Sequence, residues 1–183
     1  MTTDSPDANA SKTALRRAAI VDRLADHVLA QGLTASSLRP LAKAAATSDR
    51  MLLYYFKDKN EIFAATLECI SARMVAAMAP RTAATPQSFT ALRAQLAETV
   101  LEPVFWPYMR VWLETASRAA HGDPLFRSVG EAIGRGFLAW GAAQLDSPDD
   151  ATRVRDAAQL LVMTEGLVLL TAIGLDEVCR QAL

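Results

Sequence analysis

TSDRMLLYYFKDKNEIF, residues 47–63, sets two leucines and two tyrosines in a row between Arg50 and a Lys57-Asp58-Lys59 triplet. Such a segment could belong to a core, to a membrane contact, or to a surface that meets nucleic acid. Helical spacing separates these roles. Ser48 is a natural cap for a short helix reaching about Phe56. On that helix Leu52 and Phe56 lie four residues apart and share one face, which must turn to the core. Ser48, Arg50, Met51, Tyr54 and Tyr55 project elsewhere, as a face of hydroxyls and a cation. Serine and tyrosine hydroxyls bond phosphate oxygens, and arginine can bond guanine through both its edge acceptors. Packing of Tyr54 and Tyr55 against the following domain is the competing reading.

Upstream, Ile20, Val21, Leu24 and Val28 form one helical stripe that Gly32 should end. Ser36 or Ser37 can cap a helix through Leu38, Leu41, Ala42 and Ala45, with Pro40 tolerated in its first turn. Small residues 44–47 then break the chain before the helix at Ser48. Downstream, Asp58 opens another helix, with Glu61 three residues on as in a capping box. Two short helices joined by a tight turn, after a longer helix, make a helix-turn-helix.

Charge supports the same division. The 183-residue chain has a formal net charge of −1. From residue 11 to 60, nine Lys or Arg face four acids, a balance of +5; from Glu61 onward, ten face fourteen, a balance of −4. A basic module on an acidic body implies an anionic partner for the first part only. Cys69 and Cys179 match no metal or redox spacing. There is no Gly-rich phosphate loop, HExxH or GxSxG, so no catalytic residues, metal or cofactor are expected.

The segment GLTASSLRPLAKAAATSDRMLLYYFKDKNEIF, residues 32–63, resembles the N-terminal region of the tetracycline-repressor-like (TetR) family of bacterial transcription regulators. The resemblance rests on Gly32, Ser36-Ser37-Leu38, Leu41-Ala42, Ala45, Ser48, Leu52, Tyr54, Phe56, Lys59 and Ile62. It implies that the helix at Ser48–Tyr55 enters the major groove and that Lys59 meets phosphate. The DNA-contacting set is then Ser37, Arg39, Thr47, Ser48, Arg50, Met51, Tyr54, Tyr55 and Lys59. Three positions depart from the family pattern. Ala46 stands where glycine is usual, Leu53 where a phosphate-binding tyrosine is frequent, and Asp49 where lysine is frequent. Asp49 would repel phosphate unless it caps a backbone N–H or accepts from a cytosine amino group.

The expected class is all-α: residues 1–11 a disordered tail, 12–63 a three-helix DNA-binding domain, and 64–183 a larger helical domain for effector binding and dimerisation. Thr85-Pro86, Asp123-Pro124 and Ser147-Pro148 read as helix starts. On the helix over 123–145, Phe126, Gly130, Gly134, Phe137 and Gly141 share a stripe. Mid-helix glycines cost about 1 kcal/mol each against alanine, so a second backbone should approach there. With Ile133, Leu167 and Leu170, these form the expected homodimer face, which is also where the resemblance places it. Residues 157–175 are apolar enough to suggest a membrane span, but Glu165 lies in the middle, and burial between protein surfaces is the expectation; a cytoplasmic protein follows.

Phe89, Leu92, Leu96, Phe105, Trp106, Met109, Trp112 and Leu113 concentrate large side chains between the two regions. Such residues wall a small-molecule pocket or fill an ordinary core, and the resemblance favours a pocket for an apolar effector, with Met163 and Glu165. Glu165 should be buried, either paired with Arg110 or Arg118 or accepting from an effector. The function expected is a ligand-responsive regulator, a repressor on a palindromic double-stranded operator. The alternative is a helical scaffold with a degenerate DNA-binding module.

Overall fold

The computed structural model describes residues 6–182. Nine α-helices follow one another among the described residues: α1 (Pro6–Gln31), α2 (Leu38–Ala44), α3 (Asp49–Tyr55), α4 (Lys59–Met78), α5 (Phe89–Val100), α6 (Trp106–Ala120), α7 (Pro124–Gln144), α8 (Asp150–Ala172) and α9 (Asp176–Ala182). The only β-pairing among the described residues is an isolated parallel bridge, Gln87 to Leu145. The chain is therefore all-α. Its contacts divide it into two compact units, with the division after Ala72, inside α4.

Helix ends follow their local chemistry. Gly32, at φ 81°, ends α1 with its N–H on the Val28 carbonyl at 2.8 Å, the left-handed geometry glycine adopts without penalty. Asp123 caps α7 by accepting from the Leu125 and Phe126 amides, with Pro124 at the first helical position. Two expected starts are displaced. Pro86 does not open a helix, because Gln87 is held in the bridge and Ser88 caps α5 instead. Ser147 turns its hydroxyl to Asp156 at 2.9 Å, leaving Asp149 to cap α8. At the other end, α1 begins at Pro6, so the stretch expected to be disordered is helical from there; residues 1–5 lie outside the described residues.

In the first unit Leu24, Val28, Leu41, Leu52 and Ile62 are wholly buried. Each such side chain contributes roughly 1.5–3 kcal/mol of transfer free energy. In the second unit two core clusters form. One gathers Leu92, Leu96, Leu145, Ala157 and Leu160. The other gathers Ala97, Val100, Met109, Leu167, Val168 and Cys179. Met163 packs against both. By length and composition one helix among the described residues, Lys59–Arg81, could cross a bilayer, yet Ile62, Phe63, Thr66, Leu67 and Ile70 on it are buried.

Candidate nucleic-acid interface

The first unit forms a helix-turn-helix, with α2 and α3 as its two short helices. Ser48 caps α3, its hydroxyl accepting from the Met51 amide at 3.2 Å. Within α3 only Leu52 is buried, and Phe56 just beyond it is 1% exposed. These two pin the helix while the opposite face stays open. Arg50, Met51 and Tyr54 are exposed, Tyr54 to 71%, and Tyr55 is half-buried. The two tyrosine rings meet edge to face, centroids 5.2 Å apart. Of the other expected contacts, Ser37, Arg39, Ser48 and Lys59 are exposed and Thr47 is half-buried. All nine therefore lie in the three segments 37–39, 47–55 and 59, with no acid bonded to any of them among the described residues.

The turn departs from expectation in conformation. Ala46 takes φ 52°, the left-handed region that costs an L residue about 1–2 kcal/mol. The Thr47 amide meets the Ala42 carbonyl at 2.9 Å and the Ala46 amide meets Lys43 at 3.1 Å, so the surrounding bonds hold the strained residue. Ser37 precedes α2 without a side-chain cap bond; Ser36 is buried and donates to the Gly32 carbonyl at 2.7 Å.

A clamp that sequence reading missed fixes where α3 ends. Arg17 on α1 donates to Glu61 at 2.8 Å and lies over the Phe56 ring at 4.6 Å. Glu61 accepts from the Lys57 amide at 2.7 Å, and its own amide donates to Asp58 at 2.9 Å. The Lys57 amide and then the Arg17 guanidinium hold the Glu61 carboxyl below the usual carboxylate range. The capping box was legible; its third partner, 44 residues away, was not.

In the second unit the expected effector residues fall into the two core clusters. Phe89, Leu92 and Leu96 belong to one, Trp106, Met109 and Leu113 to the other, and Met163 to both. Phe105 is buried beneath the Arg81 guanidinium, 4.9 Å from its centroid. Glu165 bonds neither Arg110 nor Arg118. It accepts from the Trp112 indole at 2.6 Å, and burial pushes its carboxyl up despite that bond. Close by in sequence, the Thr164 hydroxyl is buried with no hydrogen-bond partner. A groove of about 600 Å³ is lined by Arg17, Val21, Asp22, Ala65 and Cys69, and a second of about 480 Å³ by Pro86, Ala142, Leu145 and Arg153. None of the ten expected effector residues borders either groove.

Two of the three stripe glycines on α7 face this chain itself. A Cβ on Gly141 would meet Ala157 of α8 at 3.8 Å, and one on Gly130 would meet the Trp112 ring at 3.9 Å. At Gly134 nothing lies within 4 Å. Phe126 and Leu167 are buried within the chain, Phe137 and Leu170 pack on its core, and Ile133 is half-buried. At Gly130 and Gly141 the neighbours are thus α6 and α8 of the same chain, while Gly134 stays open. Exposed apolar side chains also line α8 and its end, at Val154, Val162, Leu169 and Ile173, which are 52–73% exposed.

Comparison with known proteins agrees with the N-terminal module. Residues 23–66 match the family described as bacterial regulatory proteins, tetR family. The chain is 28% identical over 163 residues to an HTH-type transcriptional regulator BetI from Burkholderia thailandensis, covering 87% of this chain and 83% of that protein. Its fold is similar to that of a transcriptional regulator from Rhodococcus sp. Rha1, with TM-score 0.70 and 24% identity over 88% of this chain and 86% of that one. It is also similar to that of the multidrug binding protein EbrR complexed with imidazole, with TM-score 0.61 and 22% identity over 91% and 92% of the two chains. With the helix-turn-helix and its exposed α3 face, these likenesses make residues 23–66 a DNA-binding module of the tetR-family kind, in a chain that shares its fold with the two solved proteins over most of its length.

Proposed function

We propose that this protein is a TetR-family transcriptional regulator, a repressor that binds a palindromic operator as a homodimer and is released by a small, largely apolar effector. The observation that carries the DNA-binding half is α3: Leu52 and Phe56 buried, Arg50, Met51 and Tyr54 turned outward. Tyr54, Tyr55, Ser37 and Thr47 supply hydroxyls for phosphate oxygens; Arg50 supplies a bidentate donor for guanine; Arg39 and Lys59 neutralise the backbone.

A dimer is supported by α8. Val154, Val162, Leu169 and Ile173 occupy one face at helical spacing, and exposed apolar residues in such a row mark an interaction site. Two copies together would offer a pair of α3 helices, and such pairs read half-sites about one DNA turn apart, roughly 34–36 Å. Effector binding is supported by polar groups inside an apolar surround: the Trp112–Glu165 bond and the unpartnered Thr164 hydroxyl, beside the flexible Met163. EbrR, similar in fold, is described as binding multiple drugs and was crystallised with imidazole, which suits a loosely specific cavity. This pattern favours regulation over catalysis.

The test is binding of the full-length protein to duplexes tiled across the DNA flanking its own gene. Two protected patches one helical turn apart, released by a small ring compound such as imidazole, support the reading. Uniform weak binding along the whole region counts against it.

A further inference from the structure

Asp49 is an acid in a place that should repel DNA. It opens α3, is exposed, and stands between Ser48 and Arg50 in the midst of the basic module. An acid there has three uses. It can cap the helix, pair with a neighbouring cation, or meet a donor on the DNA. The first is taken: Ser48 is the cap, and its hydroxyl already accepts from the Met51 amide at 3.2 Å. The second is absent among the described residues, where Asp49 has no hydrogen bond or ion pair and neighbouring Arg50 remains open.

We propose that Asp49 fixes a cytosine in each operator half-site by accepting from its N4 amino group in the major groove. This rests on the reading of α3 as the helix that enters that groove, whose N-terminal residues are the ones that reach base edges. A carboxylate only accepts hydrogen bonds. In the major groove guanine presents two acceptors and thymine an acceptor and a methyl, so both repel or ignore it. Adenine has an N6 amino group, but the N7 lone pair beside it faces the second carboxylate oxygen. Cytosine offers N4–H with only a C–H next to it, and so fits a lone carboxylate best. The same charge that costs phosphate attraction thereby lowers binding to sites lacking that cytosine, which is how an interface gains specificity by excluding alternatives.

Asp49 also sits favourably at the positive end of the α3 dipole. A purely structural role of that kind would change melting behaviour and leave base preference alone. The experiment is therefore selection of binding sites from a random duplex library by the full-length protein and by Asp49→Ala and Asp49→Asn. The native protein should require cytosine at one position per half-site, with discrimination on the order of ten-fold. Asp49→Ala should use the four bases there nearly equally while binding unselected DNA more tightly. Asp49→Asn should move the preference to adenine, whose N6 and N7 match an amide. Retention of the cytosine by Asp49→Ala would overturn the assignment of Asp49 and leave the DNA-binding reading intact. Failure of the native protein to select any sequence would overturn both.

Discussion

The indole N–H of Trp112 on α6 donates to the carboxylate of Glu165 on α8 at 2.6 Å, with the far edge of the ring near Gly130 on α7. A Cβ at 130 would lie 3.9 Å from the indole ring, an ordinary contact distance, so the bond ties α6 to α8 while the ring's outer edge rests near α7. The carboxyl in this bond is held above its ordinary range. Burial favours its protonated form and the indole N–H favours the ionised one, with burial the stronger.

That balance sets a pH dependence. A carboxyl whose pKa is raised on folding contributes stability that is complete below its unfolded value and is lost as pH rises through the folded value. Glu165→Gln keeps an acceptor for Trp112 and removes the titration. Its melting temperature should exceed that of the native protein at pH 7, and the difference should vanish below the ordinary carboxylate range. Thermal melts of both proteins across pH 3.5–8 check this; equal melting at pH 7 would contradict it.

Ala46 holds φ 52° in the turn between α2 and α3. Relieving an L residue there gains about 1–2 kcal/mol, and the extra chain entropy of glycine returns roughly 0.5–1. Ala46→Gly should therefore stabilise the protein by about 0.5–1 kcal/mol, read by urea denaturation, without changing the bases it selects.

The two faces of α3 should separate in their effects. Leu52 is fully buried, so Leu52→Ala should cost about 2–5 kcal/mol and remove DNA binding by unfolding the module. Tyr54 is 71% exposed, so Tyr54→Ala should alter stability by less than about 0.5 kcal/mol while weakening DNA binding. Denaturation and DNA titration on the same two preparations distinguish these outcomes.

On α8, Val162 is 73% exposed and lies eight residues after Val154 and seven before Leu169, both exposed. Val162→Asp should leave the helix intact and give a monomer in sedimentation, because it would bury an unpaired charge between two copies. A dimer of unchanged affinity would remove α8 from the interface.

Sequence patterning made most of the helices legible, since apolar spacing, Gly32 and the Asp123-Pro124 pair each carry a local cause. The two faces of α3 were legible for the same reason: Leu52 and Phe56 reveal the buried face, and the exposed residues follow by exclusion. Contacts between distant segments were not. Arg17 and Glu61 lie 44 residues apart and Trp112 and Glu165 lie 53 apart, and nothing in their local pattern links them. The α7 glycines illustrate the limit best. Gly130 and Gly141 meet Trp112 and Ala157 of the same chain at ordinary contact distance while Gly134 stays open, and a helical period alone does not say which neighbour a glycine will have.

The most direct measurement is the affinity of the full-length protein for its selected duplex and for a scrambled one, each titrated against salt. The logarithm of the binding constant should fall steeply and linearly with that of salt concentration. Lys59→Ala should flatten the slope by about one, and Tyr54→Ala should lower affinity for both duplexes. A shallow slope with equal affinity for the two duplexes, indifferent to both substitutions, would contradict the assignment of α3 as the helix that reads DNA.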